Sequence, residues 1–170
     1  MKLRKIVTLG LGLPAAMLMG AWLVAAPAAT RATEPDPAVL GLWLTEKKGL
    51  VVDLYPCGDE ICGRIAWLRK PTWKSTGELR RDTKNPDPML RGRAWCGIEV
   101  IQGLEADGDG SWDNGKFYNP KDGGTYSLAI EPEADGTLKA RGYLGIKLLG
   151  KSETWARPGP DIKPHCLPEG

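Results

Sequence analysis

LVVDLYPCGDEICGRIAWL, residues 50–68, carries two apolar runs, Leu50 to Tyr55 and Glu60 to Leu68, joined across Cys57-Gly58. Each run has the length of a strand and is rich in branched and aromatic residues, and the short glycine-bearing connection reads as a hairpin turn. Cys57 and Cys62 flank that turn, where a disulfide would close the hairpin.

The same punctuation continues in both directions. Val39 to Thr45 comes before it, ahead of Lys48-Gly49. After it, Gly97 to Leu104 leads into Asp107-Gly108-Asp109-Gly110, and Trp112 to Tyr118 is interrupted at Asn114-Gly115. Thr125 to Ile130 follows Asp122-Gly123-Gly124, Thr137 to Tyr143 follows Asp135-Gly136, and Lys151 to Arg157 follows Gly150. The pattern predicts about eight strands in an antiparallel meander. No stretch of helical length keeps a 3.6-residue period, which argues against an α or α/β fold. Eight sequential strands suit a sandwich or an up-and-down barrel. Closure removes the exposed edges a small sheet must otherwise protect, so the expectation is an all-β, antiparallel up-and-down β-barrel over residues 39–158. The interior of such a barrel is filled by side chains or holds one small ligand.

Residues 69–95 break the pattern with Pro71, Pro86, Pro88 and several basic residues. A connection of this length is usually functional or mobile, and it is a candidate lid over one barrel mouth. Within it, Asp87 before Pro88-Met89-Leu90-Arg91 predicts a short capped helix.

The N-terminus reads as an export signal. Lys2, Arg4 and Lys5 precede an uncharged run from Ile6 to Val24, and Ala26-Pro27-Ala28 offers small residues for cleavage. The alternative is a membrane anchor, but Gly10, Gly12, Pro14 and Gly20 weaken that helix and no basic stop-transfer cluster follows. The division is then a signal peptide at 1–28, a flexible lead-in at 29–38, the barrel, and a C-terminal tail at 159–170. Cleavage falls near Ala28, or a few residues later after Ala32, and the chain is expected in the periplasm or outside the cell. The whole sequence has 23 Lys+Arg against 21 Asp+Glu; without residues 1–28 the balance is 20 against 21, a net of −1. A polyanion-binding surface, and with it nucleic acid as partner, is not supported. The membrane is met only through the signal before cleavage.

Cys57, Cys62, Cys96 and Cys166 all lie in the exported part, where disulfides are allowed and four cysteines permit three connectivities. If the hairpin pair forms, Cys96 and Cys166 join a strand start to the tail. Free thiols and metal ligation are the other readings, and no histidine stands near the Cys57–Cys62 pair.

Catalytic constellations are sparse. His165 is the lone histidine, and there is no Gly-x-Ser-x-Gly and no phosphate-cradling glycine loop. Asp53, Asp82, Asp87 and Asp122 could converge, and an enzyme built on Asp82, Asn85 and Asp122 is the third-ranked reading. Asp107-x-Asp109-x-Ser111-x-Asp113 opens like a calcium loop, but Trp112 and Tyr118 stand where glycine and glutamate are needed. No catalytic residue, metal or cofactor is assigned.

Gly41-Leu42-Trp43 opens the first strand and Trp155-Ala156-Arg157 closes the last. This resembles the lipocalin signature, in which an arginine from the chain's end covers a tryptophan that plugs the closed end. The resemblance gives Trp43, Trp155 and Arg157 structural roles. Across 39–157 the chain also resembles the bacterial family catalogued as domain of unknown function 2147. The match rests on Gly41-x-Trp43, Cys57-x4-Cys62-Gly63-x-Ile65, Asp82-x-x-Asn85-Pro86, Leu90-Arg91-x-Arg93 and Gly97. It continues through Gly115-x-x-Tyr118-Asn119-Pro120-x-x-Gly123-x-Thr125-Tyr126, Arg141-Gly142-Tyr143 and Trp155-x-Arg157. Asn119 stands where the family more often has Asp. The resemblance implies a lipocalin-like barrel of the cell envelope or exterior and brings no activity with it.

The leading reading is a non-enzymatic barrel that binds a small amphiphilic or apolar molecule. Trp67, Trp95, Tyr118, Tyr126 and Tyr143 are candidate wall residues, and Arg91, Arg93 and Arg141 candidate partners for an acidic headgroup. The alternative is an interaction module for an envelope protein, which predicts an exposed apolar patch around Trp73, Met89 and Trp95.

Overall fold

The structure, a computed structural model, describes residues 37–167. The expected signal peptide and nearly all of the lead-in lie outside the described residues. Eight strands follow one another: β1 (Gly41–Leu44), β2 (Leu50–Cys57), β3 (Glu60–Leu68), β4 (Glu99–Ala106), β5 (Trp112–Asn119), β6 (Gly124–Pro132), β7 (Leu138–Tyr143) and β8 (Lys151–Trp155). Each pairs antiparallel with the next, in sequence order. Leu44 and Ala156 then exchange backbone hydrogen bonds of 2.8 and 3.0 Å, which brings β1 back to the end of β8 and closes the barrel. The expected all-β up-and-down barrel is present.

Antiparallel order sorts the connections. Those after β1, β3, β5 and β7 lie at one end of the barrel, and those after β2, β4 and β6 at the other. The interior differs between these ends. Toward the second end, Trp43, Leu54, Ile61, Leu104, Ile130 and Leu138 are fully buried and fill the barrel. Each such side chain contributes roughly 1.5–3 kcal/mol by leaving water. Arg157 seals this end: its guanidinium lies 3.7 Å from the Trp43 ring centroid and donates to the carbonyls of Leu40 (2.8 Å) and Ala38 (2.7 Å). The Trp43 indole in turn donates to Val39 O at 2.7 Å.

Both cysteine pairs are bridged, Cys57 to Cys62 and Cys96 to Cys166. The first closes the β2–β3 hairpin. The second ties the tail to the barrel wall beside an irregularity in β3. Val51 pairs with Trp67 but Val52 with Ile65, so Ala66 is an extra, unpaired residue. Its carbonyl accepts from the Cys166 N–H at 3.0 Å, so the bulge carries its own partner. One strand and one connection depart in detail from expectation. β5 runs without a break through Asn114-Gly115, where a register shift and a left-handed Asn114 (φ 61°) absorb the irregularity. The segment between β7 and β8 also folds into a short 3-10 turn, Lys147–Leu149.

Residues 69–98 form a braced wall. Asp82 is buried completely and takes hydrogen bonds from Asn85 Nδ2 (2.8 Å), from Arg93 Nε (3.0 Å) and Nη2 (2.9 Å), and from the Tyr118 hydroxyl on β5. Arg80 stacks over Trp73 and Trp95, 4.2 and 5.4 Å from their ring centroids. Asp87 caps a 3-10 turn at Pro88–Leu90, accepting from Met89 N, as its sequence predicts. Gly123 locks the segment against the β5–β6 turn. It has φ +78°, and a Cβ there would stand 2.1 Å from Lys84 O, a distance no side chain survives.

Candidate functional site: a hollow barrel end with a basic rim

Strands that are packed at one end are hollow at the other. A cavity of about 680 Å³ opens among the connections after β1, β3, β5 and β7. Its wall is apolar: Leu50 and Val52 from β2, Ile65 and Leu68 from β3, Val100 from β4, Phe117 from β5, Leu128 from β6 and Ala140 from β7. Trp95 and Trp155 also line it. Both indoles are buried, and neither Nε1–H has an acceptor among the described residues. A buried donor left unpaired costs about 1–3 kcal/mol.

The rim is basic. Lys47, Arg69, Lys70, Arg80, Lys121 and Lys151 surround the mouth, against one carboxylate, Glu153. Lys47 approaches Glu153 at 3.5 Å. Among the described residues no carboxylate pairs with Arg69, Lys70, Lys121 or Lys151, and all four are exposed.

The residues singled out from sequence divide into two groups. Trp95, Tyr126 and Tyr143 line the cavity, as does Trp155. The Tyr126 hydroxyl donates to Asp122 (3.0 Å) and the Tyr143 hydroxyl to Asp113 (3.1 Å). These carboxylates hold both phenols neutral by raising their pKa, with burial the larger cause at Tyr143.

Trp67, Tyr118, Arg91, Arg93 and Arg141 lie elsewhere. Strict alternation from Ile65 would turn Trp67 inward, but the bulge at Ala66 reverses it, and its ring meets His165 edge-on at 6.2 Å. Tyr118 follows inward-facing Phe117 and therefore faces out, where it meets Asp82. Burial and the Asp82 carboxylate push its phenol up to about 12. Arg91 donates to Asn85 O (2.8 Å), Arg93 is spent on Asp82, and Arg141 donates to the carbonyls of Lys147 and Leu148, both at 2.8 Å. Of the residues expected in an exposed patch, Trp95 is buried against Trp73, whereas Trp73 and Met89 are exposed.

The rim lysines were missed. The available signal was topological: in a meander, every second connection shares an end, so their charges belong together.

Other chemistry is occupied by structure. Asp122 accepts from Asn119 and Tyr126. In the sequence that opens like a calcium loop, Asp109 accepts from Ser111 N and Asp113 is paired with Lys147 at 2.6 Å. Cys96, His165 and Cys166 bring three ligand-type atoms within 4.8 Å, but the two sulfurs are bonded to each other.

A closed antiparallel meander with one plugged and one hollow end defines the lipocalin-like class of barrels. Residues 41–157 match a family described as uncharacterized proteins conserved in bacteria, DUF2147, and the chain belongs to that family. Among solved structures it is similar to protein HP1028 from the human pathogen Helicobacter pylori, described as belonging to the lipocalin family. The TM-score is 0.61 at 24% identity, covering 71% of this chain and 83% of that one. No curated protein matches.

Proposed function

We propose that this chain is an exported, non-enzymatic binding protein for a small amphiphile with an acidic headgroup. The observation that carries the reading is the cavity of about 680 Å³, apolar within and basic at its rim. That volume lies within the range of small-molecule sites. The apolar part of the ligand contacts Leu50, Val52, Ile65 and Leu128, and the headgroup meets Arg69, Lys70, Lys121 and Lys151. The barrel of residues 39–158 is the functional unit. Export, to the periplasm or beyond, is supported by the N-terminal sequence and by two disulfides with no free cysteine among the described residues. The non-enzymatic reading is supported at Asp82 and Asn85: neither lines the cavity, and the Asp82 carboxylate is fully engaged.

The test is organic extraction of the protein purified after export, with mass spectrometry of the extract, followed by titration of the stripped protein with a fluorescent fatty acid. A copurifying amphiphile and saturable, competable uptake are expected. An empty extract together with no uptake of any charged or neutral probe would overturn the reading.

A further inference from the structure

The connection from β7 to β8 reads Leu144-Gly145-Ile146-Lys147-Leu148-Leu149-Gly150. Its four large apolar side chains are 69%, 62%, 83% and 78% exposed, in chain order. The loop is braced, not frayed. Arg141 donates to the carbonyls of Lys147 and Leu148, Lys147 Nζ reaches Asp113, and Leu149 N and Gly150 N both donate to carbonyls at 3.1 Å within the turn. Backbone polarity is thus satisfied while the leucines stay in water. Leu144 and Leu149 also line the cavity, so the patch is continuous with its apolar wall.

Charge is arranged around the same end. Lys47, Lys70, Lys121 and Lys151 are exposed at the mouth. Two of the opposite turns, Gly58-Asp59 and Glu133-Ala134-Asp135-Gly136-Thr137, carry acids and no Lys or Arg, while the third, with Asp107 and Asp109, shares a groove on the barrel's flank with Lys147 and Leu148. The barrel is therefore polarised along its axis, positive at the mouth. We propose that the mouth docks on an anionic lipid bilayer. Leu144, Ile146 and Leu149 enter the boundary between headgroups and acyl chains, and the lysines meet lipid phosphates. Apolar insertion and basic flanks together supply the two signals that stable peripheral binding needs. A protein groove would require only the apolar patch; Lys70, Lys121 and Lys151, none of them paired with a carboxylate among the described residues, match a negatively charged plane. The inference goes beyond ligand binding, since it states where the cavity opens: onto the membrane.

The test is cosedimentation of the exported protein with vesicles of phosphatidylglycerol and phosphatidylethanolamine, and with phosphatidylcholine vesicles. Binding to the anionic vesicles is expected, weakened about tenfold on neutral ones and by added salt. The double variant Leu144→Asp, Leu149→Asp and the double variant Lys121→Glu, Lys151→Glu are each expected to lose about tenfold or more. All four positions are exposed or nearly so, and circular dichroism checks that each variant folds. Parent and variants share one N-terminus, so any contribution from it cancels. Uptake of a fluorescent fatty acid in lipid-free buffer is read in parallel. No vesicle binding with uptake intact overturns the docking and leaves the ligand reading standing; vesicle binding without uptake supports docking and sinks the ligand reading. A concentration-dependent dimer dispersed by Leu149→Asp would assign the patch to a second copy and overturn the proposal.

Discussion

Asp82 is the residue on which the outer wall depends. It is a fully buried carboxylate whose charge is met by Arg93 and whose oxygens are taken by Tyr118 and Asn85. Removing one member of such a group strands the others, so Asp82→Ala is expected to cost roughly 3–5 kcal/mol, read from the urea midpoint. A loss under about 1 kcal/mol would mean the network is dispensable. Its phenol partner sets an alkaline limit. Tyr118 and Tyr55 are both pushed up to about 12 by burial and a bonded carboxylate, Asp82 and Glu99 respectively. The fold favours the neutral phenols. That stabilisation is complete below pH 10, the ordinary value, and disappears as pH rises from there through about 12. The urea midpoint should fall across this interval, and Tyr118→Phe should flatten the fall; a midpoint that does not move contradicts the assignment.

At the scale of elements, the strands were legible and their facing was not. Glycine turns and apolar runs place β2, β3, β6 and β7 within a few residues, because those signals are local. The turn at Pro88–Leu90 was legible for the same reason, since an aspartate before a proline specifies it. Which residues face the cavity depends on parity, and parity changes at bulges. Nothing at Ala66 announces one: the residue is not glycine, and its carbonyl is satisfied by Cys166, a hundred positions away along the sequence. Trp67 was misplaced on that account. Arg91 and Arg93 look identical to ligand-binding arginines until Asp82 and Asn85 are seen to claim them. The tail that serves the bulge is held by Cys96–Cys166, which encloses a separation of 70 residues. Replacing both cysteines by serine should destabilise the barrel by about 4 kcal/mol through the larger entropy of the unfolded chain, seen as a lower thermal midpoint. An unchanged midpoint would show that the bulge needs no covalent brace.

At the scale of the whole molecule, stability and binding occupy opposite ends. Arg157 over Trp43 closes the packed end, so Arg157→Ala is expected to lower the melting temperature, with roughly 0.5–2 kcal/mol from the stacked guanidinium alone. Affinity for an acidic amphiphile should stay unchanged. Lys70→Glu with Lys121→Glu should do the reverse, weakening acidic probes about tenfold while sparing stability, because exposed rim charges act on binding and little on folding. If Arg157→Ala instead abolished binding in a folded protein, the division between ends would fail. The sheet is also closed by its extremities: β1 meets the end of β8 through Leu44 and Ala156, and Arg157 reaches back to Ala38 across 119 positions. Such contacts cannot form while the chain is still emerging. The Cys57–Cys62 hairpin can be sealed early, but Cys96 must wait for Cys166 and β1 for β8, so the barrel can close only in its final step. Until then it is an open ribbon with two unsatisfied edges, and its slowest folding phase should report that late joining of first strand to last.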